Sequence, residues 1–327
     1  MSWVLLKALA LAFLCLFEAL TTTRSTSMTA GLTSTSKSTN VGWDDNERSC
    51  KLLKFDGGGI FYWYQAGACK YLQEAGFSSS SSELSIMGTS AGSLSATMLL
   101  VNSNFDDAAE FAISQCVREK LFEKPTGLAF RWGSIIEEWL QAMIDEKYCD
   151  PATLSRLIIT ATSMKTLRPW VEKKQTFLSG FKDKNELINA NMCSVHIPFF
   201  LDRKLYTKYY HEREENQLKG RDYSRFIDGS FWPFMGRSVT DVPRSLVRGC
   251  EEEDGVLLPH EIYTCGDWKA DQAFSARIEG DTSFLSLVTP EGLYDMMKSG
   301  YEHQRGEHEA GRVPSNVLSA PSIAVQR

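Results

Sequence analysis

Ile86-Met87-Gly88-Thr89-Ser90-Ala91-Gly92-Ser93-Leu94-Ser95-Ala96 (IMGTSAGSLSA) sets one serine between two glycines directly after a short apolar run. Leu84 to Met87 reads as a strand and Ala91 to Val101 as an Ala-rich helix, so Ser90 falls on a sharp strand-to-helix turn. Gly88 and Gly92 let that turn close without Cβ clashes. Such a turn is a nucleophile elbow: it exposes the serine hydroxyl and directs the N–H groups that follow it toward a developing oxyanion.

One strand-helix unit upstream stands a second glycine-rich turn. Lys51 to Phe55 (KLLKF) reads as a strand, Asp56-Gly57-Gly58-Gly59 follows, and Ile60 to Ala75 has helical spacing with Gly76 as its stop. Consecutive glycines at a helix N-terminus let backbone N–H groups converge on one point, which makes an anion site. It is not a Rossmann fingerprint, because Gly57-x-Gly59-x-x-Tyr62 lacks the final glycine, nor a P-loop, because no G-K-[ST] follows.

A serine nucleophile needs a base within hydrogen-bond reach. Asp228, in Arg225-Phe226-Ile227-Asp228-Gly229-Ser230, ends an apolar pair that reads as a strand. His260, in Leu257-Leu258-Pro259-His260-Glu261, would complete the Ser, Asp, His order of an α/β-hydrolase esterase. In that fold the elbow follows several βα units, whereas one strand and one helix precede Ser90 here. The triad is therefore the second reading.

Asp56-Gly57-Gly58-Gly59, Gly88-Thr89-Ser90-Ala91-Gly92 and Asp228-Gly229, in that order, resemble the patatin-like phospholipases. Asn191 to Phe200 (NMCSVHIPFF) is similar to the small-residue, Ile-Pro segment ahead of that family's aspartate strand, and the likeness extends over Lys51 to Phe234. The resemblance implies a three-layer α/β/α fold with a mainly parallel central sheet, and lipid acyl hydrolysis by a Ser-Asp dyad without histidine. Ser90 would be the nucleophile and Asp228 the base, with Gly88 and Gly92 shaping the elbow. The N–H groups of Gly57, Gly58, Gly59 and Ala91 would hold the oxyanion. A glycerolipid substrate and peripheral contact with a membrane or lipid-droplet surface are implied; no metal and no other cofactor are required. A non-catalytic lipid-binding relative is the remaining alternative.

Two departures from the family pattern bear on rate and substrate. Ile60-Phe61-Tyr62 replaces the basic residue and glycine usual after the loop, which places Phe61, Tyr62 and Trp63 at an apolar mouth. Ser230 stands where Gly or Ala is usual, within reach of the Asp228 carboxylate.

The rest of the chain sets limits. The net charge of −6 gives no basic excess for nucleic acid. Lys7, the ten-residue apolar run Ala8 to Phe17 and the small residues near Ala19 to Thr23 read as a signal peptide over residues 1–23, the apolar run being shorter than the ~20 residues that span a bilayer. The Ser/Thr-rich, acid-free stretch 24–42 reads as a disordered linker or the second part of a bipartite leader, so the chain is expected on the secretory route or in an organelle. A hydrolase domain over 43–307 and a disordered tail over 308–327 complete the division. Eight cysteines without a CxxC pair indicate neither a disulfide framework nor a zinc site. Phe130 to Met143 has its apolar residues at helical spacing, as a core helix or a lid. Tyr209 to Tyr223 reads as a solvated charged segment, and His196 and His211 read as structural or surface residues. Thr289 and Pro290 cap and open a helix through Tyr301 that covers the outer face of the sheet.

Overall fold

The computed structural model describes residues 50–77, 84–124, 128–164, 173–210, 223–230, 242–250, 254–278 and 288–318. The expected leader and linker, the Ser-rich loop near residue 80, residues 211–222 with His211, and the last nine residues lie outside the described residues.

The chain opens with β1 (Leu52–Phe55), a 3-10 turn (Gly59–Phe61), α1 (Tyr62–Glu74), β2 (Ser85–Thr89) and α2 (Ala91–Leu100). Next come α3 (Phe105–Arg118), α4 (Trp132–Met143), β3 (Leu157–Met164), β4 (Lys173–Leu178) and α5 (Lys184–Ser194). Then follow β5 (Thr207–Tyr210), β6 (Tyr223–Ile227), β7 (Ile262–Thr264), α6 (Gln272–Ile278) and α7 (Pro290–Glu309). Caps fix several helix starts: the Asn104 side chain accepts from the Asp106 and Asp107 N–H groups ahead of α3, and Thr289 accepts from Gly292 at α7.

The seven strands form one mixed sheet. β7, β1, β2 and β3 are parallel neighbours in that order, while β4 and β6 pair antiparallel with β3, and β5 with β6. The expected mainly parallel character holds at the centre and gives way at one side. Only the short link between Met164 and Lys173 joins β3 to β4, and a parallel crossover needs about a dozen residues or more.

Alternate residues of the central strands enter two cores. Leu53, Phe55, Ile86, Leu157 and Ile159 face the large core shared with the helices, and Leu52, Met87 and Ile158 face a smaller one with Val242, Val247 and Leu257. The result is a three-layer α/β/α arrangement.

Register decides where the chemistry falls. β2 pairs with the first half of β3, ending at Thr89 opposite Thr160. β6 pairs with the second half, ending at Ile227 opposite Thr162. Because β4 occupies the other edge of β3 along residues 159–164, β2 and β6 lie end to end on the same edge. They run toward each other with only Ala161 between their tips. The residues just past the two tips, Ser90 and Asp228, therefore meet.

Two expectations are corrected. α7 runs to Glu309 and packs chiefly along α1, where a Cβ on Gly67 or Gly300 would collide with the opposing helix backbone, and it meets the sheet at the β7 edge, where Gln304 Nε2 donates to the Tyr263 hydroxyl at 2.9 Å. Residues 308–318 are not a free tail. Val313 and Val317 are buried in the main core, and the Asn316 side chain accepts from the Cys50 N–H at 3.1 Å and donates to its carbonyl at 2.6 Å. Two apolar side chains and a two-sided amide bridge fix a segment whose overall composition is polar. All seven described cysteines are buried and unpaired, as core residues.

Truncation after Glu307 is expected to destabilise the folded chain by about 2 kcal/mol or more, since it removes two buried valines from the core and breaks two hydrogen bonds. Urea unfolding of the truncated and full chains measures the difference, and equal midpoints would contradict the packing.

Candidate active site

Ser90 adopts φ +52°, ψ −125°, a left-handed conformation costly for a residue with a Cβ. Close packing holds it there. A Cβ on Gly88 would run into the Gly92 backbone, and one on Gly92 would run into the Phe55 carbonyl, so the strand, the elbow and α2 come together only because both positions lack side chains. The Ser90 N–H donates to Ser194 Oγ at 2.8 Å, and that hydroxyl donates to the Thr160 carbonyl at 2.7 Å, tying the elbow to β3.

Asp228 is held from the other side. Its N–H donates to the His196 carbonyl and the Gly229 N–H to the Ser194 carbonyl, both at 2.8 Å, while Thr162 Oγ1 donates to the Asp228 carbonyl at 2.9 Å. The carboxylate is buried. Oδ2 accepts from Ser90 Oγ at 2.6 Å and Oδ1 from the Ser230 N–H at 2.7 Å. Burial pushes the carboxyl pKa up to about 6, and the hydrogen bonds from Ser90 and Ser230 only partly offset it. The Ser230 hydroxyl lies against Gly57, near enough to the carboxylate to lower its pKa slightly yet outside hydrogen-bonding geometry.

The glycine loop sits beside the elbow. A Cβ on Gly57 would lie 3.2 Å from Ser90 Cβ. Among the described residues, no group accepts from the N–H of Gly57, Gly58, Gly59 or Ala91. Four backbone donors are thus left for an anion next to a hydroxyl that is hydrogen-bonded to a carboxylate. That set can attack a carbonyl carbon and hold the resulting charge.

Next to Ser90 opens an apolar pocket, about 730 Å³ of empty space with its open mouth included. Ile60, Tyr62, Trp63, Leu94 and Ala112 line it together with Trp132, Ile136 and Trp139 of α4, and Val195, Ile197, Phe200 and Leu201 supply further wall. Among the described residues, no charged side chain lines it. The helix expected over Phe130 to Met143 is a core helix over Trp132–Met143, with Ile135, Ile136, Trp139 and Leu140 buried in the main core, and one face of it is also pocket wall. Tyr62 and Trp63 stand at the pocket as expected, but Phe61 turns away and stacks on Trp268, with ring centroids 4.0 Å apart.

The patatin-like phospholipase family model matches residues 53–234, more than half of the chain. The chain belongs to the patatin-like phospholipase family. No curated protein matches it. Membership in this family brings lipid acyl hydrolysis as the general activity and lipids as the substrate class. The match spans the glycine loop, the elbow and Asp228-Gly229, and it ends before His260 and Trp268.

His260 is exposed just before β7. Because β7 runs parallel to β1, His260 lies at the N-terminal edge of the sheet, opposite the edge that carries Ser90. His196 is buried, its Nε2 is 3.2 Å from the Lys204 carbonyl, and burial pushes its pKa down, consistent with a structural role. Trp268 carries no site signal in the sequence, Trp132 and Trp139 show there only as apolar residues at helical spacing, and Ser194 has no signal of its own. Ser194 does sit in the Ile-Pro segment Asn191 to Phe200, which points to it indirectly.

The raised Asp228 pKa has a stability consequence with a definite sign. Between the ordinary value of 3.8 and about 6 the folded carboxyl holds a proton that the unfolded one has lost, so stability falls as pH rises through that window. The loss is about 3 kcal/mol at neutral pH. Asp228→Asn is expected to be more stable than the unmodified chain at pH 7.5, with the gap closing by pH 4, in urea unfolding at both pH values. A gap that is absent at pH 7.5 would contradict the burial of the charge.

Proposed function

We propose that the protein is a serine hydrolase that cleaves fatty-acyl esters of glycerolipids through the Ser90–Asp228 dyad. The observation that carries this reading is the 2.6 Å hydrogen bond from Ser90 Oγ to a buried carboxylate, at the mouth of an uncharged apolar pocket. Asp228 takes the Ser90 proton as Oγ bonds to the ester carbonyl carbon. The N–H groups of Gly57, Gly58, Gly59 and Ala91 hold the oxyanion. The carbon–oxygen bond to the alcohol then breaks, and Asp228 returns the proton to the leaving oxygen. Water, losing a proton to the same carboxylate, attacks the acyl-enzyme. The fatty acid departs and Ser90 recovers its hydrogen.

The pocket supports the acyl side of this assignment. A wall of Ile, Leu and Trp with no charge suits an alkyl chain and offers nothing to a phosphate or sugar, so the headgroup stays outside. No described helix is long and apolar enough to cross a membrane; contact with a membrane or droplet surface is read as peripheral, and the leader as an address for the secretory route or an organelle. The position of His260 is why the dyad is preferred over a triad.

Fatty-acid release from mixed glycerolipid vesicles tests the reading. Ser90→Ala and Asp228→Asn are expected to lower release by about 10³-fold or more, and His260→Ala to leave it within about 2-fold. Loss of release in His260→Ala would favour the triad. A folded chain that binds vesicles and releases nothing would be a lipid-binding relative.

A further inference from the structure

Gln65 is a polar residue among the apolar side chains of α1, fully buried between Tyr64 and Ala66. A buried primary amide is costly unless its groups are paired. Gln65 Nε2 donates to the Asp56 carbonyl at 2.7 Å, and its Oε1 accepts from Ser95 Oγ at 3.0 Å. Asp56 begins the glycine loop, and Ser95 lies in α2, the helix that starts at the nucleophile. One side chain thus bridges the two halves of the site without touching the place where substrate would sit.

The Asp56 carbonyl and the Gly57 N–H belong to the same peptide unit, and there is no cis peptide among the described residues. In a planar trans unit these two groups point in opposite directions. Tying the carbonyl to Gln65 therefore sets the direction of the N–H. The carbonyl is also hemmed in by α2, where a Cβ on Gly92 would come within 2.7 Å of it. Steric contact limits the position of this peptide, and the Gln65 bond fixes its rotation.

We infer that Gln65 is a positioning residue that aims the Gly57 N–H at the oxyanion, through the Asp56 carbonyl on the reverse side of the same peptide. This rests on the hydrolase reading above, in which Gly57 is an oxyanion donor. Without the Gln65 bond the peptide is free to rock, and the donor loses alignment in the transition state, when the charge on the carbonyl oxygen is largest. The loss then falls on kcat and spares ground-state binding.

The test uses the full chain and a soluble p-nitrophenyl ester, with Ser90→Ala as the reference for background. Gln65→Met keeps the length of the side chain and removes the donor. Its kcat is expected to fall by about 10- to 100-fold, less than the ~10²–10³ for deleting a donor outright, with KM within about 2-fold. Gln65→Glu keeps the shape and regains a donor only when protonated. Its kcat relative to the unmodified chain is expected to rise as pH falls from 8 to 6, which a purely structural role would not produce, and this ratio serves as the test if Gln65→Met does not fold. The inference is overturned if Gln65→Met retains kcat within about 3-fold while Ser90→Ala is inactive, or if the Gln65→Glu ratio does not change with pH. An inactive unmodified chain, or a fully active Ser90→Ala, would instead overturn the hydrolase reading and this role with it.

Discussion

The end-to-end approach of β2 and β6 on one edge of β3 is the constraint on which the site depends. The two strands end facing each other across Ala161, so the residue after each tip is pressed against its counterpart, and the 2.6 Å bond between Ser90 and Asp228 follows. A shift of two residues in either register would part the two groups by roughly 7 Å, far beyond hydrogen-bond reach. Thr162, Ser194 and the His196 carbonyl all act to hold that register.

The same arrangement is energetically unfavourable in itself. Ser90 is held in a left-handed conformation, and among the described residues the N–H groups of the three loop glycines and of Ala91 lack partners and the Asp228 carboxylate is buried without a cation beside it. Each would relax in a looser fold. The large continuous core around β1, β2, α1 and α2 opposes that relaxation, and the seat of α7 on α1 extends it. A carboxyl with a pKa near 6 is, for this reason, both a destabilising element and a stronger base than an exposed aspartate.

The parts of the site that were legible in the sequence are those with local backbone requirements. A left-handed serine needs glycines on both sides, and converging N–H groups need residues without Cβ, so Gly57 to Gly59, Gly88 and Gly92 leave a pattern in the chain. Asp228 was identified by its place after a short apolar run and before a glycine. His260 fitted the order of a triad equally well, and only the parallel pairing of β7 with β1 separates it from the site. The pocket wall left no such pattern. Trp132 and Trp139 look like any amphipathic helix until α4 is brought beside Ser90, and Gln65 looks like a misplaced polar residue until the Asp56 carbonyl is found facing it. Val313 and Val317 were hidden in the same way, by a polar stretch whose order depends on a partner more than 260 residues away.

The central claim is that a serine activated by a buried aspartate, with no histidine, performs the chemistry. The rate at which a fluorophosphonate phosphonylates Ser90, with loss of fluoride, followed by mass spectrometry of the labelled peptide across pH 4 to 9, tests it most directly. The account predicts one adduct, on Ser90, whose rate rises with pH through a single ionisation near the Asp228 value of about 6 and is lost in Asp228→Asn. Labelling elsewhere, or a rate on Ser90 that Asp228→Asn leaves intact, would contradict it.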